Sequence, residues 1–173
     1  MKTVLSLLIS LAFCQLLPAQ SFFETSRASD GSKVLNGLIS RSDIEDDSSF
    51  SWFQQNYKLG RADQSAVDAF KKHRNDFQMV IFAGSWCEDT HNLLPVFYRL
   101  TDLSDFPDSS ISLIGVKEDK TTADGLTEAF AIEEVPTFIV MYKGKEVGRV
   151  VEYGKYGTID KELGEIVAGL PSN

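Results

Sequence analysis

The sequence predicts an α/β fold: a central β-sheet flanked by helices, with an N-terminal extension. Three observations carry this expectation. Met79 to Ala83 is an apolar run too short for a helix, so it reads as a buried strand. Gly84-Ser85 breaks that run, and Leu93, Leu94, Val96, Phe97 and Leu100 then recur at helical spacing. Ile111 to Val116 alternates as a second short buried strand, between helical patterns over Asp63 to Arg74 and Thr121 to Ala131. Strands alternating with helices build a sheet covered by those helices.

Taken in order, Met1 to Ala19 opens with Lys2, runs apolar from Val4 to Leu17 and ends Leu17-Pro18-Ala19, the pattern of a secretory signal peptide cleaved after Ala19. The run falls short of the roughly 18 to 20 apolar residues a spanning helix needs, so no membrane span is expected in the mature chain. Leu11-Ala12-Phe13-Cys14 has the outline of a lipidation site, but Phe13 is too large for the small residue before a lipidated cysteine, which argues against anchoring at Cys14. The expected destination is the periplasm or the cell exterior. Removal of the segment leaves Cys87 as the sole cysteine, so an exported chain would hold no internal disulfide. The 173 residues correspond to one domain plus extra segments, with apolar and charged fractions that exclude wholesale disorder. The formal charge of −8 argues against nucleic acid and anionic membrane surfaces as partners.

Residues 20–60 form the extension. Gln20 to Ser32 is polar and reads as a loose start with a turn at Ser29-Asp30-Gly31-Ser32. Lys33 to Ser40 is either a strand or, through Asn36-Gly37, a turn. Ser42 to Tyr57 carries Phe50, Trp52, Phe53 and Tyr57, compatible with a helix over its second half capped by Ser48 or Ser49, its aromatics facing a core. The main domain, 61–173, begins with the amphipathic pattern of Ala66, Val67, Ala69 and Phe70. The run Lys71-Lys72-His73-Arg74 reads as a solvated face. Asp102 to Ser110 reads as a loop, and Thr158 to Leu170 as a terminal helix.

Cys87 sits where the central strand hands over to its helix. Unpaired N–H groups and the helix dipole stabilise a thiolate at that position, and a thiolate is the attacking form. Glu88 and Asp89 oppose this, since nearby negative charge disfavours a second anion. Thr90 either donates its hydroxyl to the sulfur or merely accommodates the helix turn. His91, four residues after Cys87, is placed to face it along the helix and tune it electrostatically. A Cys-His hydrolase pair would need an acyl site and an oxyanion hole, for which no sequence signal exists. One Cys and one His fall short of the usual four ligands, so neither a metal nor another cofactor is expected.

These residues resemble the thioredoxin family. Trp86, Cys87 and Pro95 match in type and spacing its Trp-Cys-x-x-Cys motif and the kinking proline of the following helix. Val135-Pro136-Thr137 looks like the family's cis-proline loop, and Phe138 to Val151 like its closing hairpin. The resemblance covers roughly Arg61 to Leu170 and implies a thioredoxin fold with a mixed central sheet. It also implies that Val135 and Pro136 bind an extended substrate peptide beside Cys87, the backbone of Val135 pairing with it in a strand-like manner.

Two departures stand out: Thr90 replaces the resolving cysteine, and Ile81 replaces the buried acid of many members. A dithiol mechanism within the chain is thereby excluded. The expected activity is exchange through mixed disulfides on Cys87, supported by Trp86, Thr90 and His91, with client proteins and an external thiol or reductase as partners. The alternative is a redox-inactive module that binds extended peptides or acts as a chaperone, with Cys87 incidental.

Overall fold

The computed structural model describes residues 22–171. The segment 1–19 read as a signal peptide, with Cys14, lies outside the described residues. One mixed sheet organises the molecule. Its strands are β1 (Phe23–Arg27), β2 (Lys33–Ile39), β3 (Phe77–Ala83), β4 (Ile111–Gly115), β5 (Thr137–Tyr142) and β6 (Lys145–Val151), in the order β1-β2-β4-β3-β5-β6. Among the described strands only β3 and β4 pair in parallel, joined by the helical crossover usual for parallel strands.

Within the extension, β1 and β2 join this sheet. The loose start expected over Gln20 to Ser32 contains β1, although the turn at Ser29 to Ser32 is present. Lys33 to Ser40 is a strand and not a turn: Gly37 pairs with Phe23 at a φ of 121°, which glycine alone adopts without strain. Helix α1 (Arg41–Glu45) was not anticipated; Ser40 caps it, reciprocally bonded with Asp43. The aromatic segment is helical as α2 (Trp52–Leu59), but Ser48 and Ser49 do not cap it. They lie in a preceding 3-10 turn, which Asp47 caps by accepting from the Ser49 N–H. An acidic residue just ahead of that turn is a stronger acceptor than the serines inside it.

Helix α3 (Gln64–His73) starts at Asp63, whose carboxylate accepts from Ser65 and Ala66. His73 corrects the expectation of a solvated face: it is 1 % exposed, its Nδ1 3.1 Å from Asp76. Its place after Ala66 and Phe70 continues the apolar stripe of α3, and that period overrides the charge of its neighbours. Helix α4 (Glu88–Leu103) runs into the expected loop, and α6 (Ile159–Ala168) ends the domain. The helix expected over Thr121 to Ala131 shrinks to α5 (Leu126–Ala129), because Gly125 takes a left-handed conformation at φ 72° and begins the helix there.

Helices α2, α3, α4 and α6 bury the larger core against one sheet face, with Phe53, Phe70, Leu94, Phe97, Ile81 and Leu163 at its centre. The other face carries a smaller cluster of Phe82, Ile114, Val116, Val135 and Ile139, with Leu126 and Phe130 packed against it. Strand β3 therefore feeds both layers, which is why its sequence is apolar without alternation. No helix among the described residues is long and apolar enough to cross a membrane.

Candidate functional site

The site forms where β3 ends. Gly84, Ser85 and Trp86 make the turn, closed by the Cys87 N–H donating to the Gly84 carbonyl at 2.9 Å. Trp86 folds back over Gly84, and a Cβ there would lie 2.7 Å from its indole, so only glycine fits. The indole N–H donates to the Val116 carbonyl at 3.0 Å. Ser85 is buried; its hydroxyl accepts from the Leu35 N–H at 3.1 Å and donates to the Lys33 carbonyl at 3.0 Å. These two bonds stitch the turn to β2, a strand of the extension.

Cys87 is the N-cap residue of α4 and is half-buried. No side-chain cap bond is made; the thiol donates to the Val135 carbonyl at 3.3 Å. A thiolate has no proton to donate, so ionisation ends that bond, and a helix start offers unpaired first-turn N–H groups that favour the anion. The Val135-Pro136 peptide is cis, as the resemblance implied, and both residues are buried. The Val135 carbonyl, expected to be open to a peptide, is occupied by the thiol, and the Pro136 carbonyl accepts from the Glu152 N–H at 2.8 Å. Thr137 braces the loop through its hydroxyl to the Glu134 carbonyl at 2.6 Å.

Neither Thr90 nor His91 is hydrogen-bonded to the sulfur, whose bond goes to Val135. Thr90 is fully buried and its hydroxyl has no hydrogen-bond partner among the described residues, so it does not donate to the Cys87 sulfur. Three residues along a helix from Cys87, it turns into the core. His91 does not face the sulfur either. Its Nε2 is 2.9 Å from the Ser85 carbonyl, and its ring stacks on Trp52 with centroids 4.3 Å apart and planes at 22°. The amide of Asn56 donates to the His91 carbonyl at 2.9 Å.

Trp52 and Asn56, both on α2, are site neighbours that the sequence reading missed. Helical spacing marked Trp52 as packing but carried no sign of its partner. Beside the turn lies a cleft of about 210 Å3, lined by Arg27, Lys33, Phe50, Trp52, Ser85 and His91. Lys33 bonds Asp47 at 2.6 Å and holds that carboxyl down at about 2, helped by the Ser49 N–H. Beneath the site Ile81 is fully buried where many thioredoxins carry an acid, so no side chain there can relay a proton. Among the described residues no group of three or more His, Cys, Asp or Glu is arranged to hold a metal.

A family model described as Thioredoxin matches residues 39–167, a span that holds the turn, Cys87 and the cis-proline loop. Solved structures similar to the chain include an HIV epitope-scaffold, at 16% identity over 69% of this chain and 82% of that chain, TM-score 0.48. A protein of unknown function from Pseudomonas aeruginosa matches at 17% identity over 68% and 78%, TM-score 0.45. Thioredoxin O2 from Arabidopsis thaliana matches at 19% identity over 61% and 84%, TM-score 0.40. No curated protein matches the sequence significantly.

Proposed function

The chain belongs to the thioredoxin family, and on that premise we propose that it is an exported monothiol member acting in thiol-disulfide exchange, with Cys87 forming mixed disulfides with client proteins. One observation carries the reading. A half-exposed cysteine caps the helix beside a cis-proline loop, while the place three residues on holds a buried threonine. The nucleophile is within reach of a client, and no second thiol among the described residues can resolve the adduct.

The chemistry balances without a cofactor. The Cys87 thiolate attacks a client disulfide, forming a Cys87 S–S bond as the client S–S bond breaks, and the departing client thiolate takes a proton from water. A second client thiolate then attacks the client sulfur of the adduct, forming a new client disulfide and returning Cys87 as thiolate. That sequence is an isomerisation with no net change in redox state. Where an external thiol resolves the adduct instead, two equivalents are oxidised to their disulfide and the client is reduced.

The test incubates the mature protein with a scrambled disulfide protein and looks for the adduct by non-reducing electrophoresis and mass spectrometry. A Cys87-linked species that is lost in Cys87→Ser is expected. Client capture that persists unchanged in Cys87→Ser would instead support the peptide-binding module. Export is tested by N-terminal mass spectrometry, with a mature chain beginning at Gln20 expected outside the cytoplasm.

A further inference from the structure

Contacts from three directions converge on His91. A carbonyl only accepts, so the imidazole Nε2 carries the proton and donates it to the Ser85 carbonyl at 2.9 Å. One face of the ring lies on Trp52 at 4.3 Å, and the His91 carbonyl is held by Asn56. The His91 N–H in turn donates to the Cys87 carbonyl at 3.1 Å. One residue is thus bonded to the peptide before Trp86, to the peptide of Cys87 and to helix α2. We propose that His91 is a positioning residue for the Cys87 thiol, and that α2 sets the reactivity of that thiol by fixing His91 through Trp52 and Asn56.

The physical basis is the geometry of the turn. The Ser85 carbonyl belongs to the 84–87 turn, and among the described residues the imidazole is its partner. Without that bond the turn loses its side-chain restraint from α4, while the Cys87–Gly84 bond, the Trp86 bond to Val116, the Ser85 hydroxyl bonds to β2 and the backbone bond from His91 to Cys87 remain. Cys87 is then less firmly held at the cap, where the sulfur can face the unpaired first-turn N–H groups. The interaction of a charge with a helix end is worth about 0.3–1 kcal/mol, which converts to roughly two- to five-fold in rate. The imidazole also shares the cleft with Arg27 and with Lys33, itself bonded to Asp47, while Asp30 lies in the adjoining hairpin turn. Rates are therefore compared at one pH and one ionic strength.

The inference rests on Cys87 as the nucleophile, but its test needs no disulfide chemistry. The second-order rate of Cys87 alkylation by iodoacetamide is measured in the mature protein and in His91→Ala, His91→Gln, Trp52→Phe and Trp52→Leu, below each thermal transition. His91→Ala is expected to react about two- to five-fold more slowly, in line with the helix-end interaction. His91→Gln restores the rate, because its side-chain N–H reaches the same carbonyl. Trp52→Phe keeps a stacking ring and the rate, whereas Trp52→Leu slows it.

Equal rates for His91→Ala and wild type, or a glutamine variant as slow as the alanine one, would overturn the proposal. Should His91→Ala fail to fold, equal rates in Trp52→Leu and Trp52→Phe overturn it alone. A thiol that alkylates with this His91 dependence but captures no client sinks the disulfide-exchange reading and leaves the positioning role standing. A folded protein whose Cys87 does not alkylate sinks both.

Discussion

Thr90 carries a buried hydroxyl with no hydrogen-bond partner among the described residues, in the place where a resolving cysteine would stand. A buried hydroxyl without a partner costs about 1–3 kcal/mol relative to water. Thr90→Val keeps the shape and the branching while removing that group. The variant is expected to be more stable by about 1 kcal/mol, read as a higher urea midpoint at unchanged slope. A lower midpoint would mean that the hydroxyl has a partner in solution. The place of Thr90 was legible from its spacing to Cys87, and its burial was not. Burial depends on how α4 rotates against the sheet, and that rotation is set by Leu93, Leu94 and Phe97 one turn and more beyond it. For the same reason His91 was placed correctly in sequence distance from Cys87 and wrongly in aim.

Among the elements, β2 and the 3-10 turn at Ser48–Phe50 hold the extension to the site. Lys33 on β2 bonds Asp47, and Lys33 also supplies the carbonyl that accepts from Ser85. The Asp47 carboxyl sits at about 2, below its ordinary 3.8, chiefly because of the Lys33 bond. A depressed carboxyl stabilises the fold above its unfolded value and loses that contribution as pH falls through the folded one. Asp47→Asn should therefore lower the urea midpoint at pH 6, with the difference from wild type shrinking between about pH 4 and 2. A gap that persists undiminished at pH 2 would show that the charge is not what Asp47 contributes. The strand itself was visible in sequence as one of two readings. Its pairing with its hairpin neighbour β1 on one side and with β4 on the other excluded the turn, and β4 lies far along the chain.

The whole molecule closes through α3 and α6, which cover the same sheet face from opposite ends of the main domain. Their approach is set at Gly164, where an added Cβ would lie 2.6 Å from both Cα and Cβ of Ala66. One of those atoms is backbone and cannot move aside, so Gly164→Val should push the helices apart. A loss of about 1–3 kcal/mol is expected by chemical denaturation, the usual range for an overpacked core. A neutral result would mean that the helix pair slides freely, and the packing account of this face would fail.

Short-range chemistry sufficed for the handover from β3 to α4, for Cys87 at the helix start, for the family and for most helix positions. Hydrophobic period, chain-breaking glycine and motif spacing all act within a few residues, so one sequence displays them directly. Tertiary structure alone decided that β1 and β2 complete the sheet, that His73 is buried, and that His91 turns from the sulfur to Ser85 and Trp52. Each of these is settled by which distant surfaces meet: β2 against β4, α3 against the larger core, α2 against α4. Such meetings are chosen by the total burial of the folded chain, and no local pattern records them.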